Sequence, residues 1–88
     1  MTEDAIEDEL RAIVADVAEL DPGSIDLSGT LADAGVDSLM AMEIAVDVER
    51  RYALSFTVEE LKAITTFGSL VALTRTRLAE QEAASSGR

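Results

Sequence analysis

The stretch with the clearest chemical potential is GVDSL at positions 35–39, where a polar, glycine-bearing loop runs into an apolar segment. Gly35 can adopt positive φ at the end of the loop, and Asp37 places a carboxylate beside the Ser38 hydroxyl. A serine at such a junction usually only caps a helix. On a first helical turn, however, unpaired backbone N–H groups and the positive end of the helix dipole favour a phosphate attached to that hydroxyl. We therefore interpret Ser38 as a candidate for modification, with helix capping by Asp37 or Ser38 as the alternative.

The chain contains neither cysteine nor histidine. It therefore cannot assemble a thiolate nucleophile, a serine–histidine pair or an ordinary zinc site. Without a histidine base to activate it, Ser38 is a better substrate for modification than a nucleophile. We expect a protein that is not an enzyme, that has no catalytic residue or metal ligand, and that obtains any thiol chemistry from an attached group.

The composition is apolar and acidic, with 48% hydrophobic residues, 3% aromatic residues and a formal net charge of −11. A core of aliphatic side chains and few aromatic ones favours helices. The negative charge repels nucleic-acid phosphates and anionic lipid, so we expect neither as a partner, and attraction to basic protein surfaces instead. The N-terminal stretch MTEDAIEDEL lacks the positive region and the apolar run of a secretion signal, which indicates a cytoplasmic protein.

The first predicted element is an amphipathic helix from Glu3 to about Leu20, capped by Thr2. Pro22 and Gly23 end its pattern, and a long loop follows to Asp37. A loop of this length in a small domain needs buried anchors, for which the candidates are two apolar residues within it. The helical stripe consists of Ile6, Leu10, Ile13, Val14 and Val17, and the loop anchors are Ile25 and Leu31.

The second predicted helix runs from Ser38 to about Tyr52. Met40 and Val46 lie off its apolar stripe, and so do its charged residues, which are expected to face solvent. Tyr52 is expected to be a core aromatic with its hydroxyl at the edge. The buried stripe is predicted to contain Ala41, Ile44, Ala45, Val48 and Tyr52.

Two further helices complete the predicted domain of residues 1–81. Thr57 and Glu60 have the spacing of a capping box, which opens a short helix through Ile64. A threonine at position 65 or 66 caps a last helix to about Glu80, and residues 82–88 are expected to form a mobile tail. Apart from the residues already given for helix one and the loop, the predicted core consists of Ile44, Val48, Tyr52, Leu61, Ile64, Leu70, Val71 and Leu78.

The motif GVDSL, followed by an apolar helix that carries Glu43, resembles the phosphopantetheine attachment motif of acyl carrier proteins, Gly-x-Asp-Ser-Leu. The resemblance extends over about residues 5 to 80. It implies an all-α, four-helix bundle in which Ser38 carries 4'-phosphopantetheine, transferred from coenzyme A by a phosphopantetheinyl transferase. The thiol of that group would hold acyl groups as thioesters. By the same resemblance, Gly35, Asp37 and Leu39 flank the attached group, with Asp37 near the magnesium ion of the transferase.

The details of the motif favour a carrier of polyketide type over two related alternatives. Peptidyl carriers commonly have histidine where Asp37 stands, and fatty-acid carriers typically have an acidic residue where Met40 stands. Carriers embedded in modular synthases often show Glu-Leu-Arg where this chain has Glu43, Ile44 and Ala45. The resemblance therefore favours a freestanding or iterative-type polyketide carrier, and fatty-acid or peptidyl carriers remain the alternatives.

The resemblance also implies that basic enzyme surfaces dock on helix two. The expected partners are the transferase, ketosynthase, acyltransferase and other biosynthetic enzymes, and we expect the chain itself to be a monomer. Arg50 and Arg51 dilute the acidity of the far end, so docking is expected on the half near Ser38. Met40 and Met42 are interpreted as exposed thioethers of this surface, with core packing as the alternative. The expected partner contacts are Leu39, Met40, Met42, Glu43, Val46 and Asp47.

The sequence has three rival interpretations: calcium binding, a small enzyme with paired carboxylates, and an acidic helical adaptor. The enzyme is disfavoured because no metal triad or base is recognisable. The acidic loop DPGSIDLSGTLA could suggest calcium binding, but Gly23 and Ile25 stand where a calcium loop needs oxygen ligands. An acidic helical adaptor would share the fold but would carry no attached group. The mass of the protein after incubation with coenzyme A and a transferase distinguishes an adaptor from a carrier.

Overall fold

The computed structural model describes the backbone of residues 3–86 and the side chains of residues 5–82. It is an all-helical bundle, as predicted, and between residues 3 and 86 the only β pairing is an isolated antiparallel bridge. No helix within this range is both long enough and apolar enough to cross a membrane. The elements are α1 (Glu3–Ala18), a 3-10 turn (Pro22–Ser24), α2 (Ser38–Tyr52), α3 (Val58–Ala63) and α4 (Phe67–Ser86).

Helix α1 is the predicted amphipathic helix, although it ends at Ala18 and not at Leu20. Glu19 takes a left-handed conformation with φ of 56°, and the Leu20 N–H then donates to the carbonyl of Ala15 over 2.9 Å. This is a common way to end a helix because it satisfies a terminal carbonyl. The predicted cap at Thr2 lies outside the described residues.

The loop between α1 and α2 is anchored by Ile25 and Leu31, which are both buried, as predicted. The sequence analysis missed two features of this loop. Asp21 caps the 3-10 turn by accepting a hydrogen bond from the Gly23 N–H, and Val36 is a third buried anchor directly before the candidate site. The end of the loop is therefore anchored in the core by the Val36 side chain.

The loop is also attached to the beginning of α4. The Leu31 N–H donates to the Thr65 carbonyl over 2.9 Å, next to a bridge between Thr30 and Thr66. The Gly68 N–H donates to the Leu27 carbonyl over 3.0 Å. A Cβ atom at Gly68 would lie only 2.8 Å from that carbonyl oxygen, so the two backbones meet at a distance that only glycine permits.

Helix α2 has the predicted bounds, and Ile44, Ala45 and Val48 of its stripe are buried. Two predictions about this helix are wrong. Ala41 is exposed, and Met40, predicted to lie off the stripe, is half-buried and packs against the core. The buried face of α2 is therefore rotated relative to the predicted stripe near the N-terminus of the helix, where Met40 packs against the core and Ala41 is exposed.

Helix α3 opens with the predicted capping box: the Thr57 N–H donates to Glu60, and the Glu60 N–H donates to the Thr57 hydroxyl. At the start of α4 the Thr66 hydroxyl accepts from the Ser69 N–H over 3.0 Å, which confirms one of the two predicted caps. Arg77 of α4 forms an ion pair with Glu60 and so connects the two helices.

Helix α4 is longer than predicted, since it continues past Glu80 to Ser86. Residues 82–86 of the expected tail are thus helical, and residues 87–88 lie outside the described part of the chain. The helix continues because alanine and glutamate, which are good helix formers, are frequent in this segment.

The core brings together α1, the loop, α2 and the first half of α4. Ala15 and Val36 are buried but were missing from the predicted core. Conversely, six predicted core residues are only partly buried: Ile13, Val17, Tyr52, Leu61, Ile64 and Leu78. Thr74 is fully buried, and its hydroxyl donates to the Leu70 carbonyl over 2.8 Å, which satisfies its polar group within the helix.

Candidate functional site

Ser38 is the first residue of α2, and Asp37 is the N-cap. The Asp37 carboxylate accepts a hydrogen bond of 2.8 Å from the Met40 N–H, and its carbonyl accepts one of 2.9 Å from the Ala41 N–H. Ser38 is exposed, and its hydroxyl forms no hydrogen bond with the described residues. Since Asp37 caps the helix, the Ser38 hydroxyl has no structural role and is available for modification.

The backbone before the serine is held by a short turn. Gly35 has φ of 96°, in the region that favours glycine, and its N–H donates to the Ala32 carbonyl over 3.0 Å. The Val36 N–H donates to the Leu31 carbonyl over 2.9 Å while the Val36 side chain is buried. The predicted positive φ of Gly35 is confirmed. A Cβ atom there would meet no neighbour, so the preference for glycine is conformational and not steric.

The first turn of α2 presents donors to any group attached at Ser38. The N–H groups of Met40 and Ala41 are taken by Asp37, whereas those of Ser38 and Leu39 have no acceptor among residues 3–86. Unpaired N–H groups at the positive end of a helix dipole stabilise a phosphate. The site can therefore hold a phosphate ester better than a catalytic alkoxide.

An apolar cleft opens beside Ser38 between α2 and α3 and encloses about 430 Å³. Ile44, Leu70 and Leu31 form its buried floor, and Met42 and Val58, each 63% exposed, form its lips. The sequence analysis missed this cleft, because it depends on how far α3 stands from α2. A sequence signal that could have indicated it is Val58, an apolar residue on the first turn of α3.

The predicted partner contacts are not all in one place. Leu39 is 67% exposed beside Ser38, and Met42, Glu43 and Val46 are exposed farther along α2. Met40 is half-buried against the core, so Met42 is the exposed thioether of this surface and Met40 is not. The five predicted residues without Met40 remain candidates: Leu39, Met42, Glu43, Val46 and the half-buried Asp47.

The family model described as the phosphopantetheine attachment site matches residues 8–74. The chain is 36% identical over 74 residues to polyketide-8 synthase acyl carrier protein 2 of Streptomyces avermitilis, covering 83% of this chain and 85% of that protein. It is also 42% identical over 64 residues to the non-reducing polyketide synthase azaA of Aspergillus niger. That match covers 73% of this chain and only 2% of the synthase.

Two solved structures share the fold. An acyl carrier protein of Thermotoga maritima superposes with a TM-score of 0.79 at 20% identity, covering 89% of this chain and 92% of that one. The HMG-ACPI domain of the CurA module of Lyngbya majuscula gives a TM-score of 0.75 at 17% identity, covering 91% of this chain and 82% of that one. At these identities the two matches establish the fold alone.

Proposed function

Since this chain belongs to the phosphopantetheine attachment-site family and is an acyl carrier protein of polyketide type, we propose that Ser38 is the residue to which 4'-phosphopantetheine is attached. The observation that carries this proposal is that Asp37, and not Ser38, provides the side-chain cap of α2. Asp37 caps α2, and the exposed Ser38 hydroxyl stands on the first turn with two unpaired N–H groups. The group, once attached, supplies a thiol that holds acyl chains as thioesters.

The transfer from coenzyme A is a substitution at phosphorus in which the Ser38 oxygen is the nucleophile. The serine oxygen forms a bond to phosphorus while the pyrophosphate bond of coenzyme A breaks, and the nucleotide part leaves. The hydroxyl proton passes to a base of the transferase, since the chain has no histidine and the Asp37 carboxylate is engaged with the Met40 N–H. In this proposal Gly35 sets the turn, and Asp37 stands beside the phosphate near the magnesium ion of the transferase.

The carried acyl chain would be a polyketide intermediate delivered to ketosynthase, acyltransferase and related enzymes. The similarity to carriers and synthases named for polyketide chemistry supports this cargo class. The apolar cleft beside Ser38 supports it physically, because a chain attached at the mouth can bury its carbons against Ile44 and Leu70. The exposed face around Leu39, Met42 and Glu43 is the proposed docking surface.

The direct test is the mass of the protein after incubation with coenzyme A and a promiscuous phosphopantetheinyl transferase. The wild-type chain should gain one 4'-phosphopantetheinyl group, and Ser38→Ala should gain none. Ser55→Ala is the matched control, because Ser55 is also an exposed serine in a segment that precedes a helix, and it should be modified like the wild type. Unchanged helical circular dichroism would show that Ser38→Ala folds. Modification of Ser38→Ala would overturn the assignment.

A further inference from the structure

Lys62 is the single lysine of the chain, and it lies in the last turn of α3. It lines the same cleft as Ser38. Four arginines, Arg11, Arg51, Arg75 and Arg77, each form an ion pair with a carboxylate. Lys62 forms none with the described residues, although the protein has a net charge of −11 and an excess of available acids. Its ammonium group is therefore not committed to holding the fold together.

The cleft around Lys62 is lined almost entirely by apolar side chains. Among its lining residues only Ser38 and Lys62 carry a polar side chain, no carboxylate is present, and the remaining walls are apolar. A lysine on an apolar wall packs its methylene groups there and keeps its ammonium at the rim. The ammonium offers three hydrogen-bond donors and no acceptor, so its natural complement is an oxygen atom of whatever occupies the cleft.

The cleft therefore has two donor regions that serve different atoms. The N–H groups of Ser38 and Leu39, at the start of α2, face the point where a phosphate would be attached. Lys62 lies on the other helix of the cleft, near the C-terminus of α3. A chain that begins at Ser38 and enters the cleft passes between these helices, and Lys62 is the only charged donor that it meets there.

We propose that Lys62 is a specificity-determining residue: its ammonium donates a hydrogen bond to a carbonyl oxygen of the carried chain. The cleft then holds acyl chains that carry keto groups in preference to saturated chains of the same length. This inference rests on the proposed function of Ser38 and adds a substrate preference to it. A hydrogen bond from a charged donor is strong enough to give roughly a tenfold preference.

The test uses the holo protein loaded with two thioesters, a saturated six-carbon chain and a diketo chain of equal length. The rate of thioester exchange with a small thiol, which releases the acyl group as a new thioester and frees the thiol of the arm, is measured for each chain. Dividing it by the rate for the same acyl group on free pantetheine removes the intrinsic reactivity of the thioester. In the wild type we expect the diketo chain to be protected about tenfold more than the saturated chain, as one charge-assisted hydrogen bond would give.

Four variants make the result specific. Lys62→Met should reduce the protection of the diketo chain to that of the saturated chain, and Lys62→Arg should retain most of it. Arg50→Met is the matched control, because Arg50 is another exposed cation without an ion pair among residues 5–82 but lies outside the cleft, and it should change nothing. Lys62→Gln is a second neutral variant in case the methionine perturbs α3, and circular dichroism checks the fold of each.

The outcomes separate the two proposals. Failure of the wild type to load would refute Ser38 as the attachment site. Normal loading without discrimination in the wild type, or discrimination that survives both Lys62→Met and Lys62→Gln, would overturn the role of Lys62 alone. An equal loss of protection for both chains would also overturn it, because it would assign Lys62 to the phosphate of the arm and not to the keto groups.

Discussion

The Tyr52 hydroxyl donates a hydrogen bond of 2.5 Å to one carboxylate oxygen of Glu9, and the Arg51 guanidinium donates one of 3.0 Å to the other. This pair of contacts connects the last turn of α2 to α1. The hydrogen bonds from Arg51 and then Tyr52 lower the pKa of Glu9 below its ordinary value. Burial, followed by the hydrogen bond to Glu9, raises the pKa of Tyr52 to about 12.

The alkaline titration of Tyr52 follows from this contact. Its folded-state pKa is raised above the unfolded value of about 10, so its contribution to stability is complete below pH 10 and is lost as the pH rises through about 12. Because Tyr52 is the only tyrosine and the chain has no tryptophan, tyrosinate absorbance reports this one group. Glu9→Gln should move the absorbance midpoint down toward 10. A midpoint that the substitution does not move would contradict the Tyr52–Glu9 contact.

Asp37 is expected to have two separable roles. Asp37→Ala removes the side-chain cap of α2 and should lower the free energy of unfolding by about 1 kcal/mol, whereas Asp37→Asn keeps a capping oxygen and should cost only a few tenths. Both variants lose the carboxylate charge beside Ser38, so both should slow transfer of the prosthetic group. Urea denaturation and initial modification rates measure the two roles. If Asp37→Asn is modified at the wild-type rate, the negative charge of Asp37 has no role in the transfer.

Leu10 of α1 is fully buried in the core. Leu10→Ala should cost roughly 2 to 4 kcal/mol, by loss of apolar contact and creation of a cavity. Leu39→Ala makes the same chemical change at a side chain that is 67% exposed, and it should alter stability by no more than about 0.5 kcal/mol. Thermal or urea denaturation followed by circular dichroism compares them. Similar losses at both positions would mean that the burial pattern is wrong.

Glu43 is expected to guide partner enzymes to the half of α2 near Ser38. Glu43→Lys should slow transfer reactions by about an order of magnitude at low salt, the scale on which rim charges change association rates, and less at high salt. Asp16→Lys is the control, because Asp16 is exposed on α1 and its reversal changes net charge equally. Equal effects of the two reversals would show that total charge, and not a localised docking surface, sets the rates.

Charge reversal at Glu49, another acid of α2, would be a poor control because it would also disturb the structure. The Glu49 carboxylate accepts a hydrogen bond of 2.8 Å from the Phe56 N–H, so it holds the segment between α2 and α3. The sequence shows Glu49 only as one more acid beside Arg50 and Arg51. The sequence alone does not distinguish an acidic side chain with a structural role from one with an electrostatic role. The distinction here comes from the position of Phe56, which lies beyond the end of α2.

The helices could be predicted from the sequence because they depend on local signals. The stripe of α1, the bounds of α2 and the Thr57–Glu60 capping box each involve residues within a few turns of one another, and all three are confirmed. The motif at Ser38 is equally local. Where the prediction of burial failed, the cause was a partner distant in sequence.

Three examples show this limit. Met40 is covered by the rest of the bundle although its position in the helical pattern faces outward, and Val36 is buried although it lies in a loop. The cleft between α2 and α3 depends on the distance between two helices that were each predicted from the sequence. Periodicity predicts which face of a helix is apolar, but not how closely the next helix approaches it.

The contact between Gly68 and the Leu27 carbonyl should restrict which residues position 68 accepts, although Gly68 lies outside the candidate site. Because a methyl group at position 68 would overlap that oxygen at 2.8 Å, even alanine must push the loop and α4 apart. In a library of variants selected only for folding, position 68 should thus tolerate fewer residues than Ser38 itself, whose exposed side chain the fold does not need. A second selection for loading would reverse that ranking at Ser38 and leave position 68 as restricted as before.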